Sequence, residues 1–416
     1  MPFVTTISYV ARRFVYSFFA GYFFLPFYLI ITSLIKTYYD KSKRFQADVA
    51  EFHRKETREI LKETVFFGLV SGFTGSIGVV YAGVVLDSGI IIHILMIMVI
   101  LSIINIRFLC TSYAAGVLIL ARYIFNIPDA GSTSLLLIVA VVHLAESVLI
   151  FFNGARDNIP VYIQHKDNIT GAFLMQKFWP MPIVFLSFVS GTAGSGLERF
   201  EIHHWWPAFK PDMVGYGALA LTMDSIITVA GYTVISITKQ PEQRARETAF
   251  QTLAYSLVMF LLGILSARFH VFKVIGAIFA IAAHEAIVLY NYYTEKHGEP
   301  LFTPVKRGIR VFDILPGSHA EKMGIKRGDI ILRVNGKDVQ TEDGITHALR
   351  EYPTFIWVDV QGADGSMKAY EYKCYPFGTN DLGILIVPRE REVTYRLERF
   401  GNFAIIKNLV ARFKSG

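Results

Sequence analysis

Two pairs of residues in apolar segments carry side chains that can bind metal or move protons. His284 is followed directly by Glu285, and His143 precedes Glu146 by three positions, which places that second pair on one face of a helix. Zinc peptidases use His-Glu-x-x-His, in which two histidines bind the metal and the glutamate acts as a base. The segment HEAIVLY has Val288 where the second histidine should stand. We therefore predict no catalytic residue, no metal site of that type, no cofactor and no enzymatic activity.

Ionisable side chains inside a bilayer are costly and usually face the interior of a bundle. We predict that five of them form an intramembrane polar network: His143, Glu146, Asp224, His284 and Glu285. Three interpretations of this network are open. It can be structural, it can conduct ions or protons, or its two histidines with Glu146 and Asp224 can form a nonstandard metal site on facing helices. The structural network is the working interpretation.

The composition predicts a polytopic membrane protein. Hydrophobic residues make up 53% of the chain, charged residues make up 18%, and the mean hydropathy is +0.41. Apolar runs long enough to cross about 30 Å of hydrocarbon occur at 14–35, 65–86, 88–106, 108–125, 133–152, 181–196, 213–237, 250–267 and 271–293. Residues 1–300 are therefore expected to form a multi-span α-helical membrane bundle of about eight or nine transmembrane helices.

Basic residues predict the orientation of this bundle. With nine spans, the loops on the side of the C-terminal region hold fifteen basic residues and the opposite loops hold five. The positive-inside rule then places the C-terminal region in the cytoplasm. If the first apolar segment lies in the interface instead, eight spans remain and both ends are cytoplasmic. The net charge of +7 follows from topology and lipid contacts, so we expect no nucleic-acid partner.

Three segments outside the spans have patterns of their own. Residues 36–64 mix charged and apolar residues without glycine or proline, which predicts a cytoplasmic amphipathic helix. Residues 389–416 end in basic and apolar residues at helical spacing, and we expect a basic amphipathic tail that lies on anionic lipid or docks a partner. In the loop 153–182, the segments VYIQ and GAFLMQ are expected to pair as a hairpin across residues 165–168.

Residues 301–388 show the turn chemistry of a small β-rich domain. The segment IRVFDI alternates as a strand should, and Ser318 can cap a short helix that Gly324 ends. Asn335 followed by Gly336 is a strong hairpin signal. This succession, GIRVFDILPGSHAEKMGIKRGDIILRVNGKDVQ, resembles an α+β bacterial PDZ domain of the type found in periplasmic serine proteases and intramembrane site-2 metalloproteases.

The resemblance implies a groove that takes an extended peptide, usually a C-terminus, as an added strand. In this sequence the groove would lie between a strand at 309–314 and a helix at 342–351. The apolar segment 382–384 would hold the peptide carboxylate with its amides, or would be only a closing strand. The expected groove residues are Ile309, Arg310, Val311, Phe312, Ile345, Ala348, Leu349, Leu382, Gly383 and Ile384.

A second resemblance covers the architecture of the whole chain. A multi-span body with a C-terminal PDZ domain, the loop segment GAFLMQKFWPMPI and a His-Glu pair in the last span resemble the MinJ-type proteins of Gram-positive bacteria. Those proteins are membrane adaptors in division-site placement that link the polar scaffold DivIVA to the MinCD inhibitor of FtsZ assembly. The resemblance implies DivIVA-like and MinD-like partners besides membrane lipid, and a multi-pass cell-membrane protein enriched at the septum or poles. A homo-oligomer is compatible with it.

The expected function is that of a nonenzymatic integral-membrane scaffold. Its cytoplasmic PDZ domain would bind peptide segments of partner proteins in division-site placement or cell polarity. One alternative is an intramembrane metalloprotease-like protein or a PDZ-bearing regulator of one, although site-2 proteases insert their PDZ domain between core spans. The other alternative is an ion-coupled transporter that uses Glu146 and Asp224.

Overall fold

The computed structural model describes residues 2–20, 24–49, 55–86, 88–104, 108, 110–127, 131–165, 168–189, 220–351, 354–375, 378–389 and 395–396. The membrane domain contains the helices α1 (Pro2–Ala20), α2 (Phe24–Val49), α3 (Thr57–Tyr81), α4 (Ser88–Ile104), α5 (Thr111–Ile124), α6 (Ser132–Leu149), α7 (Pro241–Arg268) and α8 (Val271–His297). A π-helical turn, Ile150–Gly154, continues α6, and the strands β1 (Ile159–His165), β2 (Asn168–Val189) and β3 (Ala220–Ser236) precede α7.

A second domain follows α8. Its elements are β4 (Ile309–Ile314), α9 (His319–Met323), β5 (Ile330–Val334), β6 (Lys337–Asp338), α10 (Glu342–Glu351), β7 (Phe355–Gln361), β8 (Met367–Lys373) and β9 (Ile384–Ile386). The sheet order is β8-β7-β5-β4-β9, with β6 paired to β5. A short strand β10 (Tyr395–Arg396) returns to the membrane domain and pairs in parallel with β1.

The described residues contain four helices that are long and apolar enough to cross a membrane, at Thr57–Tyr81, Ser132–Gly154, Pro241–Arg268 and Val271–His297. These match the predicted spans at 65–86, 133–152, 250–267 and 271–293. A fifth span results if α1 and α2, which meet at 78°, form one broken span in place of the predicted run at 14–35. Helices α4 and α5 are apolar but shorter. Among the residues that the structure describes, the predicted count of eight or nine is therefore not reached.

Two of the predicted spans, 181–196 and 213–237, are wrong where the structure describes them. Residues 181–189 belong to β2, and residues 220–236 form β3. A buried strand and a helix both appear in sequence as a continuous apolar run. The prolines at 180 and 182 distinguish them, because alternate prolines break a helix but fit a strand edge.

Where β2 extends beyond β1, helix side chains accept hydrogen bonds from N–H groups on the strand edge that β1 leaves unpaired. The Phe178 N–H donates to the Tyr39 hydroxyl at 3.0 Å, and the Val184 N–H donates to Ser76 Oγ at 2.9 Å. The alternate positions between them are the two prolines, which have no N–H to satisfy. This edge therefore needs no further strand.

The β1–β2 hairpin confirms the predicted pairing across residues 165–168. The two strands are antiparallel from Ile159 opposite Leu174 to His165 opposite Asn168. β2 continues past the end of β1 and pairs along its length with β3. The first sheet has the order β10-β1-β2-β3.

Local turn chemistry in the C-terminal domain follows the sequence prediction. Ser318 Oγ accepts a hydrogen bond from the Glu321 N–H at 3.2 Å, and Gly324 ends α9 with φ of +86°. Asn335 and Gly336 both have positive φ, 50° and 78°, in the turn between β5 and β6. The predicted helix cap, helix end and hairpin are all confirmed.

The C-terminal domain packs on the β1–β2 hairpin. Phe173 of β2, Phe302 of the connecting segment and Phe312 of β4 form a buried cluster with ring centroids 4.8–5.5 Å apart. The Arg327 guanidinium lies 4.8 Å from the centre of the Phe173 ring and 3.6 Å from a carboxylate oxygen of Glu242 on α7. Burial lowers the pKa of Arg327, and the charge of Glu242 opposes that shift. The two domains therefore share a specific, partly charged contact.

Two predicted amphipathic segments have different outcomes. Residues 36–64 belong to two helices, because α2 ends at Val49 and α3 begins at Thr57, with residues 50–54 outside the described residues. The single predicted helix is therefore not observed. The predicted tail at 389–416 lies outside the described residues except for Arg389 and β10.

Candidate functional site

Strand β4 lies in the interior of its sheet. Ile309 and Arg310 pair with β5, and residues 311–314 pair with β9. On the β5 side, the Val311 N–H also donates to the Asp329 carbonyl at 2.8 Å. Both edges of β4 are therefore hydrogen-bonded, and neither is free to receive a peptide strand. The prediction that residues 309–314 form the groove strand is wrong for this reason, and Phe312 faces the membrane-domain hairpin instead.

Strand β9 forms the edge of this sheet. The Gly383 carbonyl and the Val387 N–H bond inward, to Leu315 and Arg310 respectively. Backbone groups alternate between the two edges of a strand. The N–H and C=O groups of Ile384 and Ile386 are therefore directed toward the outer edge. No other strand pairs with this outer edge in the part of the chain that the structure describes.

The turn before β9 presents backbone amides. Gly383 has φ of +74°, and a Cβ at this position would lie 2.3 Å from the Cβ of Ser318, so only glycine fits. The Gly383 N–H donates to Asp381 Oδ1 at 2.9 Å. Leu382 is fully buried, and Ile384 is 5% exposed. These buried side chains anchor the turn in the core, and the Ile384 N–H is directed outward at the start of the edge strand.

Helix α10 shares the hydrophobic core of this domain with Leu382 and Ile384. Its apolar residues Ile345, Ala348 and Leu349 are buried in the core of the domain. The Asn335 side-chain amide donates to the Ala348 carbonyl at 3.1 Å and ties the end of the helix to the β5–β6 turn. The three predicted α10 residues therefore hold the helix in position.

One end of the β9 edge contacts the membrane domain. The Tyr162 hydroxyl, from β1, donates to the Ile386 carbonyl at 2.7 Å. This bond occupies one of the outward acceptors of β9. The N–H groups of Ile384 and Ile386 remain directed toward the outer edge.

A second site lies among the helices. The Sγ of Cys110, just before α5, is 3.4 Å from Nε2 of His143 on α6 and 3.7 Å from Nε2 of His284 on α8. The two imidazole rings are 5.4 Å apart between centroids. His143 is buried, and the other two residues are partly exposed. These three side chains can provide one soft sulfur and two imidazole nitrogen donors to one ion.

Carboxylates adjoin this cluster on two sides. Glu146 Oε2 lies 3.7 Å from His143 Nε2. The Tyr113 hydroxyl donates to Glu285 Oε2 at 2.7 Å and lies 3.1 Å from His284 Nδ1. Four of the five predicted network residues are thus brought together.

The fifth predicted network residue, Asp224, lies elsewhere. It is on β3, its Oδ1 is 3.1 Å from Arg13 Nη2 of α1, and its side chain is 54% exposed. Its segment forms a strand and not a helix that faces α6 and α8. The predicted metal site that included Asp224 is therefore wrong.

Ser112 Oγ lies 3.1 Å from His143 Nε2 and 2.8 Å from the Tyr255 hydroxyl, so both residues belong to the cluster. Sequence reasoning missed four of its members: Cys110, Ser112, Tyr113 and Tyr255. The first three belong to CTSY, a polar interruption near the start of the apolar run at 108–125, and α5 begins within it. Such an interruption was the available signal. Tyr255 carries none, because it lies within a long apolar helix.

Comparisons with known proteins agree with this architecture. A family model of the PDZ domain matches residues 310–351. The chain is 24% identical over 222 residues to the cell division topological determinant MinJ of Bacillus subtilis (strain 168), which covers 53% of each chain. It is 25% identical over 88 residues to the probable cell division topological determinant MinJ of Lacticaseibacillus paracasei, which covers 21% of this chain and 24% of the relative.

A shorter similarity joins the chain to a protease relative. A segment of 44 residues is 43% identical to the putative protease Do-like 14 of Arabidopsis thaliana and covers 11% of this chain and 10% of that protein. The chain spans about half the length of the Bacillus relative and about a quarter of the Lacticaseibacillus relative. The chain thus carries a PDZ domain behind a helical bundle and is similar to the MinJ-type cell division topological determinants.

Proposed function

We propose that the chain is a nonenzymatic membrane scaffold whose PDZ domain captures peptide segments of partner proteins in cell division. The free edge of β9 is the observation that carries this proposal, because PDZ domains bind extended peptides as an added strand. A peptide would pair with the outward backbone groups of Ile384 and Ile386. Its terminal carboxylate would lie at the turn that ends in Gly383.

The groove in this proposal differs from the one expected from sequence. It lies along the outer edge of β9, a strand that the buried residues Leu382 and Ile384 anchor in the core of the domain. Strand β4, which contains Arg310 and Val311, pairs with the inner edge of β9. The Tyr162 contact limits how far a peptide strand can extend along this edge.

Confinement to the membrane strengthens a weak PDZ contact. A partner that is itself bound to the membrane meets the groove at a high effective concentration, so a modest intrinsic affinity gives stable recruitment. By similarity to the MinJ-type determinants, we infer that the partners belong to the division machinery, with DivIVA-like and MinD-like proteins as the candidates. The protein would then concentrate at the septum or poles.

We infer that the PDZ domain is cytoplasmic. Helices α7 and α8 are consecutive candidate spans, so the start of α7 and the PDZ domain that follows α8 lie on the same side, in agreement with the contact between Arg327 and Glu242 of α7. Replacing two predicted spans by strands removes an even number of crossings and leaves the predicted side unchanged. The predicted excess of basic residues on the PDZ side, fifteen against five, supports a cytoplasmic PDZ domain.

A proline substitution in β9 tests the groove. Ile386→Pro removes the outward N–H that an added strand needs, and the edge position tolerates proline because this N–H does not bond to β4. Ile386→Ala is the matched control, since it removes most of the side chain but keeps the N–H. We expect a fluorescent fusion of the unmodified chain to concentrate at the septum or poles of a Gram-positive host, Ile386→Pro to spread evenly over the membrane, and Ile386→Ala to stay localised. Even membrane fluorescence of the unmodified fusion would contradict the proposal.

A further inference from the structure

We propose that Cys110, His143 and His284 bind one divalent transition-metal ion of the zinc class. Zinc–sulfur and zinc–nitrogen bonds in tetrahedral sites imply a sulfur-to-nitrogen separation of about 3.6 Å. The two observed separations from Cys110 Sγ to the imidazole Nε2 atoms are 3.4 and 3.7 Å. All three donor atoms lie within 4.8 Å of one another. The spacing is that of ligands around a common centre.

Hydrogen bonds to the outer nitrogens direct both imidazoles toward this centre. His143 Nδ1 donates to the Val139 carbonyl at 2.7 Å, which leaves a lone pair on Nε2. The Tyr113 hydroxyl gives its hydrogen to Glu285, so it accepts from His284 Nδ1, and the His284 Nε2 lone pair also faces inward. Such outer partners fix the tautomer of metal-binding histidines.

The number of available hydrogens supports a cation at the centre. A neutral Cys110 thiol has one hydrogen for the two inward nitrogens. Ser112 Oγ lies 3.1 Å from His143 Nε2 and 2.8 Å from the Tyr255 hydroxyl, and it gives its hydrogen to Tyr255 when that hydroxyl donates to the Ala280 carbonyl. In that arrangement one buried lone pair is left without a donor, which is costly. A metal ion held by the thiolate and both imidazoles satisfies all three atoms.

The donor set selects the class of metal. Thiolate with two imidazoles suits zinc and its transition-metal neighbours and does not suit magnesium or calcium, which require oxygen ligands. Glu146 Oε2, at 3.7 Å from His143 Nε2, is a carboxylate that could take a fourth coordination position. On α8, Val288 stands where a zinc peptidase has its second histidine. A ligand from α6 would take the place of that histidine.

The ion would join three helices that sequence alone leaves independent. Cys110 lies at the start of α5, while the two histidines are in the middle parts of α6 and α8. A bound metal would hold these elements at fixed separation, and its binding free energy would add to the stability of the bundle. The inference does not depend on peptide binding by the PDZ domain.

Cobalt titration of the purified full chain in detergent tests the inference. After chelator treatment, Co²⁺ should bind at one ion per chain and produce an intense near-ultraviolet band from thiolate-to-cobalt charge transfer. Cys110→Ser should abolish the band, whereas Cys374→Ser should retain it. Cys374 is a matched control, because its Sγ lies 3.7 Å from one histidine nitrogen, that of His319, and not from two. Zn²⁺ should displace the cobalt.

A substitution outside the ligand set tests the outer hydrogen bonds. Tyr113→Phe should weaken cobalt affinity about 10-fold without removing the thiolate band, since loss of a ligand's outer partner typically costs this much. His93→Gln, which changes an exposed histidine on α4, should leave affinity unchanged. An equal effect of both variants would overturn the role given to Tyr113.

The unmodified protein by itself can overturn the proposal. Absence of a thiolate–cobalt band in chelator-treated, folded protein would show that the site binds no such metal, whatever the variants do. If Cys110 of that protein were also alkylated rapidly, the cluster would instead be a thiolate and imidazole that share a proton. Persistence of the band in Cys110→Ser would also overturn it. Neither result bears on localisation through the PDZ groove.

Discussion

At the residue scale, a buried lysine closes a charge cluster where α3, the π-helical turn and β2 meet. Lys177 Nζ lies 2.7 Å from Asp157 Oδ2, and the lysine side chain is only 1% exposed. Lys55 approaches the other Asp157 oxygen at 3.4 Å. Burial opposes ionisation of Asp157, but the two ammonium groups outweigh it and hold the pKa of Asp157 below its ordinary 3.8. The same burial lowers the pKa of Lys177.

Removal of one partner of this pair should be costly. We expect Lys177→Met to destabilise the protein by about 3 kcal/mol, because it leaves a largely buried carboxylate without its closest cation. The double variant Lys177→Met with Asp157→Asn should recover most of that loss. Thermal unfolding in detergent measures both, and a double variant no more stable than the single one would contradict the assignment.

The same pair predicts a pH dependence. The folded-state pKa of Asp157 is depressed, so its stabilisation is fully present above pH 3.8 and is lost as the pH falls through the folded-state value. The unfolding temperature of the unmodified protein should therefore fall more steeply below pH 4 than that of the double variant. Parallel curves for the two proteins would count against it.

At the element scale, the fold depends on close approach between a helix and a strand. A Cβ at Gly68 or Gly72 of α3 would come within 2.4 Å of the carbonyl oxygen of Pro180 or Pro182 on β2. One turn further along α3, Ser76 Oγ accepts the Val184 N–H. Small residues at this spacing let the helix cover the strand edge, so β2 needs no additional strand there.

Matched alanine substitutions on α3 measure this contact. Gly72→Ala should destabilise the protein by about 1–3 kcal/mol, because the new methyl group meets strand backbone that cannot rotate away. Gly75→Ala on the same helix meets nothing within 4 Å and should be neutral or stabilising by up to about 1 kcal/mol. Denaturant unfolding in detergent gives both values. Equal effects would show that helix propensity, and not the strand contact, decides the outcome.

At the scale of the whole molecule, the PDZ domain is held against the membrane domain. The Gly171 N–H of β2 donates to the Phe302 carbonyl at 2.9 Å, and a Cβ at Gly171 would lie 2.7 Å from the Phe312 ring. The same hairpin supplies the Tyr162 bond to β9. The groove edge and the membrane domain are therefore coupled through one contact surface.

Loosening this surface should expose the segment that connects the domains. Gly171→Val pushes against Phe312, and we expect trypsin to cleave after the exposed residues Lys306 and Arg307 roughly tenfold faster, as for a loss of about 1.4 kcal/mol of docking free energy. Gly231→Val, on the exposed face of β3, is the control, because its nearest neighbour, Phe178, is 3.4 Å away. Unchanged cleavage in Gly171→Val would mean that the docked arrangement contributes little.

Sequence alone determined the features that arise from local chemistry. Hydrophobic runs indicated four of the long apolar helices, and the helix cap at Ser318, the helix end at Gly324 and the turn at Asn335 defined the PDZ domain. The β1–β2 hairpin was also predictable, because its strands are neighbours in sequence. Each of these depends on residues that are close together along the chain.

Tertiary structure alone decided the features that depend on long-range contacts. Apart from Pro180 and Pro182, nothing in the apolar runs at β2 and β3 separates them from helices, and their pairing with each other and contact with α3 decided the outcome. The free edge at β9 follows from its pairing with β4, about seventy residues earlier in the chain. Cys110 meets its two histidines across 33 and 174 residues of chain. No local pattern records which distant segments pack together, because that choice depends on the burial and hydrogen bonding of the whole fold.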